Sequence, residues 1–174
     1  MSAVILLAMH GTPPNDFPKN EMAEFFELRG TLKRTGGVSP DLIRRHGELD
    51  LIMRRWPRTP QNDPFYAGSQ ELASHLGRET GRKVVIGFNE FCGPDMEEAL
   101  DKAVATAGPA GKVVVVTPMM TRGGEHAKSD IPAAIRKAQQ KHPKAEIIYA
   151  WPFEFPAVAR FLASQIEPFL YGTP

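Results

Sequence analysis

The chain has 174 residues, with 21 Lys and Arg against 20 Asp and Glu, the size of one domain and without the basic surplus of a dedicated nucleic-acid binder. Hydrophobic residues make up 42% and charged residues 24%, an ordinary globular balance. A lone cysteine, Cys92, excludes an intrachain disulfide and a CxxC zinc cluster and points to a reducing, cytoplasmic compartment.

Residues 3–9 (AVILLAM) form a nearly continuous apolar run that ends at His10-Gly11-Thr12-Pro13-Pro14. The run is far short of the ~20 residues of a membrane span, and no charged leader precedes it, so it reads as a buried strand. Residues 13–62 come next. A connection from a strand to its helix usually takes ~2–6 residues, so this stretch is an insertion. It carries two helical stripes, one with Met22, Phe25 and Phe26, the other opening at Ser39-Pro40 with Leu42, Ile43, His46, Leu49 and Met53. Pro13, Pro14, Pro18, Pro57, Pro60 and Pro64 gather at its two ends, where fixed φ stiffens the chain. A helical flap on firm stalks is expected, and deleting residues 15–60 is expected to leave a folded core.

Asp63-Pro64 caps a helix that runs through Leu72 and Leu76 to Gly81. Residues 83–88 (KVVIGF), 112–117 (KVVVVT) and 145–150 (AEIIYA) are three more short apolar runs, of the kind that parallel sheets bury on both faces. Helical stripes alternate with them. The first holds Met96, Ala99, Leu100, Ala103, Val104 and Ala107, with Pro94 in its first turn and Gly108-Pro109 at its end. The second holds Ile131, Ala134, Ile135 and Ala138, with Asp130 as its N-cap. Val158, Phe161, Leu162, Ile166 and Phe169 form the last. This order predicts an α/β fold in a single domain over residues 1–174: a small doubly wound, four-stranded parallel sheet of the flavodoxin-like type, with a helical insertion after its first strand.

In such a sheet ligands bind at the C-terminal edge of the strands. His10 follows the first strand directly, Glu90 follows the second, and His126 lies shortly after the third. Each alone reads blandly, as a hydrogen-bonded loop histidine or a solvated or helix-capping carboxylate. Together on one rim, two imidazoles and a carboxylate suit a borderline divalent ion such as Co, Ni, Fe or Zn. His75 and His142 fall on or beside predicted helices and read as surface residues. Arg45-His46-Gly47-Glu48 matches the signature of histidine phosphatases, but that chemistry needs the histidine directly after a buried strand, and residues 40–44 have helical spacing. No GxxxxGK[ST] or GxSxG occurs. Cys92 sits near a predicted helix N-terminus, a setting that lowers a thiol pKa, yet it reads best as a small buried filler.

The strand ending in Met9-His10-Gly11, the segment Val84-Val85-Ile86-Gly87-Phe88-Asn89-Glu90 with Pro94 after it, and above all Thr117-Pro118-Met119-Met120 followed by Gly124-Glu125-His126 and Asp130-Ile131-Pro132 resemble the sirohydrochlorin chelatases of the short CbiX type. The similarity covers residues 1–12 and about 65–170, and the G-x-H-x-x-x-D-I-P segment is its specific part. Two features depart from that pattern. Thr12-Pro13 stands where short CbiX proteins usually carry Ser-Arg, and the insertion has no counterpart there. Both resemble the related protoporphyrin ferrochelatases, which have Gly-Thr-Pro after the first strand and a helical lip over the pocket.

The resemblance implies a chelatase-like fold and a class II-type chelatase of cobalamin or siroheme biosynthesis, a lyase that inserts Co2+ or Fe2+ into a sirohydrochlorin-like tetrapyrrole. It makes His10 and His126 the paired catalytic histidines, with Glu90 as the accompanying acid, and the same three the ligands of the incoming metal. Met119, Met120 and Phe91 are expected to supply apolar surface to the macrocycle, Arg122 and Lys128 to meet its carboxylates, and Gly124 to lie beside it. Metal and ring are both substrates, so no tightly bound cofactor is expected, and neither a membrane nor nucleic acid is an expected partner. Short-form relatives are homodimers, and a four-stranded sheet leaves an open edge, so a homodimer is expected. Two other readings use the same residues: a non-catalytic metal or tetrapyrrole carrier, and a His/Glu hydrolase built around a resident zinc ion.

Overall fold

The four apolar runs pair as β1 (Val4–Met9), β2 (Val84–Phe88), β3 (Lys112–Val116) and β4 (Glu146–Tyr149), all parallel, in the order β2-β1-β3-β4. The computed structural model describes residues 3–37 and 39–172. Side chains alternate across the sheet. Val4, Leu6, Ala8, Val85, Val113 and Val115 face α4 (Met96–Ala107) and α5 (Ile131–Lys141), while Leu7, Met9, Ile86 and Phe88 face α3 (Pro64–Thr80). Each such side chain stabilises the fold by roughly 1.5–3 kcal/mol on burial, which is why nearly continuous apolar runs were needed at the central strands.

Local signals set most helix ends. Asp63 caps α3 by accepting from the Tyr66 N–H at 2.8 Å. Two starts differ from expectation. Pro94 is not in the first turn of α4 but one residue ahead of its cap, Asp95, which forms a reciprocal capping box with Glu98. Asp130 is not an N-cap either. His126–Asp130 form a π-helical turn that runs straight into α5, so Asp130 has helical backbone and its carboxylate is free for another partner.

The insertion folds as α1 (Lys19–Thr35) and α2 (Pro40–Arg55) packed on each other. Phe17, Phe25, Leu49 and Met53 form its core together with Phe91 from the loop after β2. His46 lies within α2, stacked on Phe25 at 4.5 Å, so the phosphatase-like tetrapeptide has no strand before it. The stalk at the end of the insertion is held by side-chain bonds as well as by its prolines. Arg54 donates to the carbonyls of Cys92 (2.9 Å) and Asn89 (3.2 Å), and Arg58 donates to those of Thr12 (2.8 Å) and Phe91 (2.6 Å). The end of the insertion is thereby bonded to the loops at the C-terminal edge of β1 and β2.

The last helix, α6 (Phe155–Tyr171), has the expected period but not the expected place. None of its residues is buried: Phe161, Leu162 and Ile166 are about half exposed, and Phe169 is 87% exposed. The sheet face that it would cover in a doubly wound fold carries the in-register row Ile5, Val114 and Ile148, of which Ile148 is exposed and the other two half-buried. Helical periodicity reports that a stripe needs an apolar neighbour, and here that neighbour is not the helix's own core. Among the described residues, no helix is long and apolar enough to cross a membrane.

Candidate active site

Parallel pairing carries on past the ends of β1 and β2. The Asn89 N–H donates to the Met9 carbonyl at 3.0 Å and the Glu90 N–H to the His10 carbonyl at 2.9 Å. This places the His10 and Glu90 side chains next to each other, with His10 Nδ1 4.0 Å from Glu90 Oε2. Gly11 makes the approach feasible. It has φ +101°, and a Cβ built on it would lie 1.9 Å from the Glu90 carbonyl oxygen. Replacing Gly11 by Ala is therefore expected to cost about 2–3 kcal/mol of stability in urea unfolding; a change within ~0.5 kcal/mol would mean that the two loops do not meet this closely.

His126 arrives from the π-helical turn after β3. Its Nδ1–H donates to Asp130 Oδ2 at 2.6 Å, a bond that fixes the tautomer and leaves the Nε2 lone pair free. That Nε2 lies 3.6 Å from Glu90 Oε1, and the His10 and His126 rings meet edge to face at 4.7 Å. One ligand atom from each of His10, Glu90 and His126 falls within 4.8 Å of the other two. The three residues expected on one rim from strand order thus form a compact N, O, N set, the donor set of a borderline divalent ion. Next to it is a cavity of about 400 Å³ lined by Glu90, His126, Asp130, Asn89, Arg54 and Met96, among others.

The acid has a partner that sequence reasoning did not supply. Arg29 of α1 donates to Glu90 Oε1. Burial works against the Glu90 charge, but the Arg29 guanidinium, with His126 and His10 nearby, outweighs it and holds the carboxyl below its ordinary value. Nothing in local spacing links positions 29 and 90, so only the folded insertion reveals the pair. Asp130 was legible in principle, since His126 and Asp130 are four apart, one turn along a helix.

Beneath the rim lies a buried ion pair. Arg58 donates to Asp63, which also accepts from the Thr12 hydroxyl at 2.9 Å, and the two side chains are 6% and 0% exposed. Cys92 sits against the same carboxylate at 3.6 Å. Contrary to the helix-terminus argument for a lowered pKa, burial pushes its thiol up to about 11, so Cys92 is a buried filler and neither nucleophile nor ligand. Asn89, on the same loop, turns its side-chain amide back to the Met9 carbonyl at 2.8 Å.

The remaining expected ring contacts divide. Phe91 lines the small chamber beside Arg29 and Glu90 and not the cavity next to His126. It is buried with φ 59° among Phe25, Leu49 and Met53, because Arg58 draws its carbonyl inward. Met119 is half-buried against the sheet core, and its carbonyl accepts from Trp151 Nε1 at 3.2 Å. Met120 lines an apolar groove of about 430 Å³ with Phe153, Val158 and Phe161. Arg122 is exposed, with its guanidinium 4.6 Å from the Phe155 ring centre, and Lys128 and Gly124 are exposed beside His126. His142 pairs with Asp101 at 2.7 Å and His75 approaches Glu71, both away from the rim.

Comparison with known proteins adds four findings. The CbiX family model matches residues 62–167, more than half of the chain. A sirohydrochlorin ferrochelatase of Priestia megaterium is 27% identical over 68 residues, covering 39% of this chain and 24% of that protein. A sirohydrochlorin cobaltochelatase of the same organism is 37% identical over 65 residues, covering 37% of this chain and 20% of that protein. The match therefore spans a quarter or less of either relative's length. In overall fold the chain is similar to a cobalamin (vitamin B12) biosynthesis CbiX protein from Marinobacter aquaeolei VT8, with a TM-score of 0.56, 14% identity, and 98% and 99% of the two chains covered.

Proposed function

The chain belongs to the CbiX family, and from that premise we propose that it is a chelatase inserting Co2+ or Fe2+ into a sirohydrochlorin-like tetrapyrrole. The observation that carries the reading is the convergence of His10, Glu90 and His126 within 4.8 Å, with no fourth protein ligand in the set among the described residues. Three ligands hold an ion that has lost part of its water shell while leaving positions open to pyrrole nitrogens. Metal and ring are both substrates, so the set has to release the ion as well as bind it.

Insertion breaks two pyrrole N–H bonds and forms bonds from the ring nitrogens to the metal. As the ion leaves, the nitrogen lone pairs of His126 and His10 are freed and can take the two protons. Asp130 accepts from His126 Nδ1, so it stabilises the imidazolium formed when Nε2 is protonated. Against the opposing effect of burial the Arg29 guanidinium holds the Glu90 carboxyl below its ordinary value, and this carboxylate supplies the charge that attracts the ion. Met120, which lines an apolar groove, is assigned to apolar contact with the macrocycle, and the exposed Arg122 and Lys128 to its carboxylates. The compartment that suits one buried thiol and a carboxylate-bearing ring is the cytoplasm.

The test is an insertion assay with sirohydrochlorin and protoporphyrin against Co2+, Fe2+ and Ni2+, read from the visible spectrum of the ring. A metal-dependent shift with sirohydrochlorin is expected. Ring binding without a shift would mark a carrier, and zinc that survives a chelator wash would mark a hydrolase.

The same reading includes a homodimer. Phe155, Leu162, Ile166 and Phe169 recur at helical spacing on one face of α6 and are half exposed or more, an apolar stripe suited to cover by a second copy. We place α6 of a second copy on the row Ile5, Val114 and Ile148, which α6 leaves bare on its own chain. Light scattering is expected to show a dimer that becomes a monomer when Phe161 and Ile166 are both replaced by Asp. A monomeric wild type, or a dimer that survives the double replacement, would contradict this placement.

A further inference from the structure

Three arginines of the insertion reach the loop that carries Glu90, and they are held very differently. Arg54 and Arg58 are tied to backbone carbonyls, and Arg58 is almost wholly buried. Arg29 is half-exposed, and among the described residues its hydrogen-bond partner is Glu90 alone, with its guanidinium carbon 5.8 Å from the Phe91 ring centre. Its bond goes to Glu90 Oε1, the same oxygen that faces His126 Nε2 at 3.6 Å. On the far side of that pair is a chamber of about 240 Å³ lined by Phe25, Arg29, His46, Asp50 and Arg54. A fixed cation here opposes a divalent ion, because both draw on the one Glu90 carboxylate and the two cations repel each other. A rigidly held arginine would make the set unable to take a metal; a half-exposed one with a single partner can turn away.

We propose that Arg29 is an exchangeable counter-ion: the incoming divalent metal displaces it from Glu90, and the released guanidinium then binds a carboxylate of the tetrapyrrole. The ring half of this exchange rests on the chelatase reading above. A planar guanidinium suits the task, since it grips carboxylates through paired N–H donors wherever it goes. The exchange has two consequences. Arg29 keeps metal affinity low in the absence of ring, as a site that must give up its ion requires. It also couples the substrates: ring carboxylates that draw Arg29 away free Glu90 for the metal, and by reciprocity bound metal favours the ring.

The test is the Arg29→Gln variant, with Arg29→Lys beside it. Co2+ alone is titrated by calorimetry, and KM is measured separately for Co2+ and for sirohydrochlorin. Arg29→Gln is expected to bind Co2+ at least ~10-fold more tightly, a change of about 1.4 kcal/mol, and to show a lower KM for Co2+ with a several-fold higher KM for the ring. Arg29→Lys, which keeps the charge but not the paired donors, is expected to fall between Gln and wild type on both. A residue that merely orients Glu90 would move the two KM values the same way and weaken Co2+ binding when lost. Unchanged or weaker Co2+ binding in Arg29→Gln would overturn the proposal, and so would tighter binding with an unchanged KM for the ring. If wild type metallates no ring, the chelatase reading fails and with it the carboxylate half, while the Co2+ titration still decides whether Arg29 competes with metal.

Discussion

Replacing His126 by Ala is expected to lower the rate of metal insertion by roughly 10²–10⁴-fold and to leave the fold intact. The loss is large because one side chain serves twice: Nε2 belongs to the set that holds the ion and is the freed base when the ion departs. The fold survives because the π-helical turn is anchored by its neighbour. Ala127 is fully buried, and its carbonyl accepts from the Tyr149 hydroxyl at 3.0 Å. His10→Ala is expected to act at the same step. Asp130→Asn, which leaves Nε2 in place but loses the charge behind Nδ1, is expected to cost less, about 10–100-fold. Circular dichroism of each variant separates a lost base from a lost fold. Full insertion rates in both histidine variants would show that these imidazoles are not the reacting groups.

Replacing Arg58 by Met is expected to destabilise the protein by about 3–5 kcal/mol. Asp63 is completely buried, and without Arg58 its charge is left with neutral partners, the Thr12 hydroxyl, the Tyr66 N–H and the Cys92 thiol. A domain of this kind has a total stability of about 5–15 kcal/mol, so the variant is left marginal. The site is expected to suffer as well. Arg58 holds the carbonyl of Phe91, the residue with φ 59° that follows Glu90, and its loss removes one of the bonds that fix this loop. The double variant Arg58→Met, Asp63→Leu is expected to recover much of the stability, since it removes the stranded charge, but not the lost cap of α3. Urea unfolding measures all three proteins. A loss below ~1 kcal/mol in Arg58→Met, the value of an exposed pair, would show that the pair is not buried as described.

The sheet and the rim were the most legible parts of the sequence. Runs such as KVVVVT are buried on both faces and so write their strand into composition, and a residue directly after such a run, like His10 or Glu90, inherits its place from the strand. His126 lies further from its strand and was legible only as a residue on the loop that follows it, and its partner Asp130 was mistaken for a cap: a carboxylate at the start of a helix suits either role until the preceding π-helical turn is seen. The insertion was legible as two helices but not as an anchor. Its attachment runs through Arg29, Arg54 and Arg58, whose partners lie 33 to 61 residues away, and surface-type residues at such separations leave no periodic trace. Phe91 was misread because an aromatic beside a rim residue looks like a ring contact, whereas the folded insertion supplies it with a core. The stripe on α6 was real, but a stripe states only that apolar surface must be covered, not by which chain.

Catalytic insertion of metal into a ring is the function proposed for the His10, Glu90 and His126 set. Its most direct test is multiple-turnover insertion of Co2+ into sirohydrochlorin, with the ring in excess over protein and Glu90→Gln run alongside. The account predicts that wild type metallates many rings per chain and that Glu90→Gln, which lacks the charge that attracts the ion, falls to the uncatalysed rate. Insertion that stops at one ring per chain, or that runs as fast in Glu90→Gln as in wild type, would contradict it.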